Sequence, residues 1–232
     1  KIAERIDANL LNTNIQDVAQ MPYDTFCRKI ENLTRKVASG KLIVKEYPTA
    51  VANANHFRHL LNELSLKKNF RPDVIYIDYL NICSSSRIKA GSGANSYTLI
   101  KSIAEELRGL AVEHNVPIMS ATQTTRSGYN SSDVELTDTS ESFGLPATAD
   151  LMFALIATEE LEELNQVLVK QLKNRYNDLN NYKRFVIGID RPKMRLYDVE
   201  NSAQDEVIDN SGSSQDYSNN FSNNSKKIGS VE

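Results

Sequence analysis

No run of apolar residues in this chain is long enough to cross a bilayer, and the amino terminus lacks the basic-then-apolar pattern of an export signal. Neither a membrane anchor nor secretion is expected. Cysteine is scarce, with only Cys27 and Cys83 and no CxxC spacing. That argues against a zinc site and for a reducing, cytosolic setting. Charge of one sign is not in excess either, since the formal net charge is −3. Any binding of nucleic acid must then come from a local patch, and its electrostatic share would be modest and salt-sensitive. There is no internal repeat. An initiator Met and a helix cap are also missing before Ile2, Ile6 and Leu10, which are spaced as one helical face. The start therefore reads as a fragment whose upstream part has been removed.

What is present suffices for one sizeable domain: 232 residues, 40% hydrophobic and 25% charged. Residues 1–12 and 22–38 read as helices joined by a polar turn at Asn12, Thr13 and Asn14, with Pro22 opening the second. Residues 41–47 (KLIVKEY) read as a short strand closed by Pro48. A helix over 53–68 carries Phe57, Leu60, Leu61 and Leu64 on one face, and one over 96–114 carries Ile100, Ile103, Ala104, Leu107, Leu110 and Ala111. The runs 74–78 and 116–123 read as buried parallel strands, each ending in a polar side chain, and each is followed by a polar loop.

Further on, a short helix over 141–147 leads to a strand over 151–156, a helix over 158–165 and a strand over 166–175. Phe185–Asp190 and Met194–Glu200 form a hairpin around Arg191, Pro192 and Lys193. From Asn201 to Glu232 small polar residues dominate and a disordered tail is expected. Alternating helices and strands closed by a hairpin predict an α/β fold, its sheet parallel in the middle and antiparallel at one edge.

The chemistry-bearing residues sit at strand ends. Asp78 closes the run Val74-Ile-Tyr-Ile, at the carboxyl edge where open α/β sheets bind ligands. It suits either a metal-bound water shell or the capping of the next turn. Gln123 ends the neighbouring strand; its amide can donate to phosphate without titrating, or can satisfy loop backbone. Lys173 and Arg175 alternate along one strand and share a face. Two such cations repel unless an anion joins them; the alternative is a solvated basic strand end.

Longer strings surround these residues: Arg5-Ile-Asp-Ala-Asn-Leu-Leu11, Asn62-Glu-Leu-Ser-Leu-Lys-Lys-Asn-Phe70, Ile77-Asp-Tyr-Leu80, Ala104-Glu-Glu-Leu107, Ser131-Ser-Asp-Val134 and Gly144-Leu-Pro-Ala-Thr-Ala-Asp150. Together they resemble the motor domain of the DnaB-like hexameric replicative DNA helicases, which has a RecA-like fold, and most of all the T-even bacteriophage branch of that family. The resemblance spans about residues 1–200 and leaves out the tail.

It implies an ATP-hydrolysing enzyme that forms a homo-hexamer, translocates on single-stranded DNA and unwinds duplex at the fork, in the cytoplasm (the host's, for a phage-encoded member). Primase, a helicase loader and single-strand-binding protein are the implied partners. Asp78 then matches the acid that holds Mg²⁺ through water, and Gln123 the γ-phosphate sensor. Lys173 and Arg175 match cations that reach the neighbouring subunit's nucleotide, Arg175 as the arginine finger.

The loops 84–95 and 124–144 match the DNA-facing loops, with Arg87, Lys89 and Arg126 as available cations and Tyr97 and Tyr129 as stacking candidates. Ser140, Glu141 and Phe143 fall in a segment that contacts the DNA backbone. Ser140 stands where a basic residue is common, which removes a charged contact, and Phe143 where Gly is common.

One requirement is not met. No GxxxxGK[ST] string occurs, since Gly40-Lys41 lacks the earlier Gly and is followed by Leu42. The family's catalytic Glu and its amino-terminal collar are also missing, and Glu4 lies inside a helix where it cannot substitute. Hydrolysis by this chain alone is not expected. The competing expectations are a non-hydrolysing RecA-like binding module and a RecA-type strand-exchange protein.

Overall fold

A computed structural model describes residues 1–36, 40–89, 91, 93–124, 136, 144–179, 182–200 and 204. Helices α1 (Ile2–Leu10), α2 (Ile15–Gln20) and α3 (Tyr23–Lys36) open the chain. The turn expected at residues 12–14 is there, with Asn12 at positive φ, but it leads into α2, which periodicity did not show. Six residues are too few to display a helical stripe. The strand expected over 41–47 does not form. That stretch is irregular and largely exposed, and Tyr47 packs edge-on against Phe57 and His56 instead.

Helix α4 (Ala54–Lys68) starts on a capping box, with the Asn53 side chain accepting from the N–H groups of Asn55 and His56. Helix α5 (Ser96–His114) starts on Asn95, whose side chain accepts from Thr98 N–H. Both helices end on an asparagine in the left-handed region, Asn69 at φ 47° and Asn115 at φ 51°. Their apolar stripes are buried as the spacing predicts: Leu61 and Leu64 on α4, Ile100, Ile103, Leu107 and Leu110 on α5.

The strands β1 (Ile75–Ile77) and β2 (Ile118–Ser120) pair in parallel, Ile75 opposite Ile118 and Ile77 opposite Ser120. Between them lie a single 3-10 turn at Leu80–Ile82 and the long helix α5. One face of the pair packs on a core of Leu80, Cys83, Ile100, Ile103, Ala104, Leu107 and Leu145. The other face is open, with Tyr76 and Met119 exposed side by side. These strands were expected to be buried on both faces; among the described residues only the α5 side has a covering layer.

Helix α6 (Gly144–Thr148) leads into β3 (Leu151–Ile156), then α7 (Glu159–Glu163), β4 (Gln166–Asn174), β5 (Arg184–Asp190) and β6 (Arg195–Asp198). The last four strands form an antiparallel sheet in the order β3-β4-β5-β6. Among the described residues this sheet and the parallel pair are separately hydrogen-bonded, rather than joined in the single mixed sheet that the element order implied. The hairpin closes at a 3-10 turn over Arg191–Lys193, capped by the Asp190 side chain. On β3, Ala154 and Ile156 face the core while Leu151, Phe153 and Leu155 are exposed.

Gly144 is required by a close approach. A Cβ there would lie 2.8–2.9 Å from the stem of Lys101, so only glycine lets the start of α6 rest on α5.

Candidate nucleotide-handling seam

Parallel pairing puts the ends of β1 and β2 on one edge, and the residues just past both ends are stitched together. Ser120 Oγ donates to the Ile77 carbonyl at 2.8 Å, Leu80 N–H to the Ala121 carbonyl at 3.2 Å, and Thr122 Oγ1 to Asn81 Oδ1 at 2.9 Å. Asp78 and Gln123 thus leave the sheet together. Asp78 is exposed, and among the described residues nothing pairs with its carboxylate. Gln123, also exposed, donates through Nε2 to the Tyr79 hydroxyl at 3.2 Å, so the residue after the acid holds the amide in place. The Asp78–Tyr79 peptide is cis.

A second cluster forms where β4 ends. Lys173 Nζ donates to the carbonyls of Pro146 and Ala147, the last turn of α6. Arg175 Nη2 donates to the Ala147 carbonyl at 3.0 Å and its Nη1 meets Asp150 Oδ1 at 3.1 Å. Arg108, arriving from α5, takes the other oxygen of Asp150 at 2.7 Å and the Thr148 carbonyl at 2.8 Å. The anion that two neighbouring strand-end cations require is therefore Asp150, helped by the partial negative charge at the carboxyl end of a helix.

The electrostatics follow from this crowding. Burial, then the adjacent Arg175 charge, lowers the pKa of Lys173 below the usual lysine range. The hydrogen bond and charge of Asp150 raise that of Arg108. Arg175 keeps its side chain 44% exposed, so it is presented outward while its base is held.

Sequence reasoning had singled out neither Arg108 nor Asp150 for this cluster. Asp150 closes one of the family-like strings, but the partner that completes its pairing is Arg108, and Thr148 lies forty residues beyond that arginine. No local pattern announces such a contact.

The loop after β1 is organised by Glu106 of α5, whose side chain is only 7% exposed. It accepts from the hydroxyls of Ser85, Ser86 and Ser102 and from the Ser86 N–H. Burial opposes its charge, but these hydrogen bonds outweigh burial and hold its pKa below the usual glutamate value. Arg87, read from sequence as a DNA-facing cation, is engaged here: it meets Glu105 at 3.1 Å and Glu106 at 3.5 Å and donates to the Ser102 carbonyl. Lys89 is exposed and makes no ion pair among the described residues.

Tyr97 is partly exposed at the start of α5. Arg126, Tyr129, Ser140, Glu141 and Phe143 lie outside the described residues, as does the tail apart from Gln204. Among the described residues no group of three or more His, Cys, Asp or Glu could hold a metal, and no helix is long and apolar enough to cross a membrane.

The sequence that builds this arrangement is matched by a known family. The profile of the DnaB-like helicase C-terminal domain covers residues 2–190. The chain belongs to the DnaB-like helicase C-terminal domain family. A DnaB-like replicative helicase of Enterobacteria phage T4 is 47% identical over 216 residues, which is 92% of this chain and 45% of that relative. A probable plasmid replicative DNA helicase of Chlamydia psittaci is 27% identical over 191 residues, 77% of this chain and 39% of that one.

This chain accordingly spans less than half the length of these DnaB-like relatives. Among solved structures, the ATPase domain of G40P superposes with a TM-score of 0.68 at 16% identity, over 85% of this chain and 69% of that one. A DnaB-like replicative helicase studied for its interactions with primase gives 0.67 at 17% identity, over 85% and 47%. The fold is thereby that of the RecA-like helicase ATPase domains.

Proposed function

We propose that this chain is the greater part of the motor of a ring-forming replicative helicase that hydrolyses ATP with Mg²⁺ and moves along single-stranded DNA. Residues 1–200 form the motor portion and 201–232 a polar tail. The observation that carries the reading is the shared exposed edge on which Asp78 and Gln123 leave neighbouring parallel strands, on a chain of this family.

Asp78 fits Mg²⁺ of the kind that keeps most of its waters: one exposed carboxylate at a strand end, unpaired among the described residues, with the remaining oxygens left to water and phosphate. When bound, that ion neutralises charge on the β- and γ-phosphates. Gln123 donates to the γ-phosphate or to the attacking water, its position governed by the Tyr79 hydroxyl. Lys173 and Arg175 serve the nucleotide of the adjacent subunit in a homo-hexamer, and Arg175 is the arginine finger. For DNA, Lys89 is free to meet a phosphate, whereas Arg87 has to exchange Glu105 and Glu106 for one. Arg126, Ser140, Glu141 and Phe143, which lie outside the described residues, are the further DNA-contacting candidates by family resemblance.

No phosphate-cradling string occurs in this sequence. Primase, a loader and single-strand-binding protein are the partners this reading entails, in the cytoplasm of the host cell.

The deciding experiment is Arg175→Ala in the full-length helicase. Hydrolysis is expected to fall by about 10³-fold or more, the range removed with an arginine finger, while nucleotide affinity stays within about twofold. Undiminished turnover would end the trans assignment.

A further inference from the structure

Arg175 is held by its surroundings before any nucleotide arrives. Its Nη1 is fixed on Asp150 Oδ1 and its Nη2 on the Ala147 carbonyl, and two anchored points on a planar guanidinium determine the plane of the whole group. Asp150 is itself immobilised, because Arg108 occupies its second oxygen at 2.7 Å and is tied in turn to the Thr148 carbonyl. The backbone reinforces this: Arg175 N–H donates to the Asp150 carbonyl at 3.0 Å, so the acid and the base of the arginine move as one unit. Lys173 is tethered to the same turn of α6 through Pro146 and Ala147.

We propose that Asp150, locked by Arg108, is the positioning residue that aims Arg175 at the neighbouring subunit's nucleotide. This rests on the reading of Lys173 and Arg175 as trans-acting cations. Asp150 touches no substrate and acts through the guanidinium. Without it, three like charges around one helix end repel, and the exposed Arg175 samples other rotamers. The loss falls on the rate, because a cation displaced by about 1 Å forfeits on the order of 10²-fold in turnover. Ground-state nucleotide affinity, set by the subunit that cradles the phosphates, is largely spared.

The test uses the full-length helicase as assembled rings and compares Asp150→Asn, Arg108→Gln, Arg175→Ala and the double variant Asp150→Asn/Arg175→Ala. The readouts are kcat and KM for ATP and the tightening of ADP binding by aluminium fluoride, a transition-state mimic. Asp150→Asn is expected to lower kcat by about 10²-fold with KM within about twofold, and to lose the aluminium fluoride tightening. Added to Arg175→Ala it should change neither quantity further, since it works through that arginine.

Arg108→Gln alters a partly exposed side chain and should give a smaller fall of the same kind. It decides the matter should Asp150→Asn rings fail to assemble, and an Arg108→Gln ring with unchanged kcat then overturns the inference. An Asp150→Asn ring with normal kcat, or one whose losses add to those of Arg175→Ala, overturns it too. If Arg175→Ala itself turns over normally, the trans-cation reading falls first; if Arg175→Ala is inactive and Asp150→Asn is not, only the positioning role falls.

Discussion

Asparagine does work at single positions that few other residues manage. Asn115 ends α5 at φ 51°, and its N–H closes on the carbonyls of Ala111 and Val112 before the chain turns into β2. The left-handed region costs an ordinary L-residue roughly 1–2 kcal/mol, and a β-branched one is strained further. Asn115→Val is therefore expected to destabilise the fold by about 1–2 kcal/mol, lowering the thermal midpoint by roughly 2–8 °C for a chain of this size. Asn115→Gly should stay near the parent, and a calorimetric scan of the three proteins checks the order. The position sets where β2 begins, and with it where Gln123 emerges beside Tyr79.

At the scale of an element, the loop after β1 is shaped from outside itself. Its serines and Arg87 converge on the carboxylate of Glu106, a side chain nearly three turns into α5 and largely shielded from solvent. The folded-state pKa of Glu106 lies below the reference value of 4.5, so its contribution is fully present above that value. It is lost as pH falls from about there through the folded pKa. Glu106→Gln should mimic the acid state at neutral pH, with faster amide exchange over residues 84–88 and little change in β4. Equal exchange in the two proteins at neutral pH would show that the carboxylate does not anchor the loop. The same element explains why Arg87 reads as a free cation in the sequence and is a paired one in the fold: its partners lie a loop and more than two helical turns away.

For the whole molecule, the candidate residues are divided between two sheets. Asp78 and Gln123 lie on one edge, Lys173 and Arg175 on the sheet formed by the last strands, and no phosphate-cradling string exists anywhere in the sequence. The isolated chain is expected to show no Mg²⁺-dependent ATP turnover above buffer in a phosphate-release assay. Measurable turnover that disappears in Asp78→Asn would contradict this.

Periodicity was enough to place α4, α5, β3, β4 and the hairpin, because that signal is local: a repeat of 3.6 or 2 along the chain. Asp78, Gln123, Lys173 and Arg175 stood out as polar residues at strand ends, but their roles came from the family resemblance and not from local pattern. The run 41–47 has the apolar, β-branched centre of a strand yet pairs with no strand among the described residues, and α2 was too short to show a stripe. Strand pairing and helix docking are long-range events that no window of sequence contains. For the same reason only the tertiary structure could bring Arg108 to Asp150, Glu106 to the serine loop and Tyr79 to Gln123. Charge and hydrogen-bond partners far apart in sequence are chosen by the packing of the elements that carry them, and that packing decided how the basic pair is held.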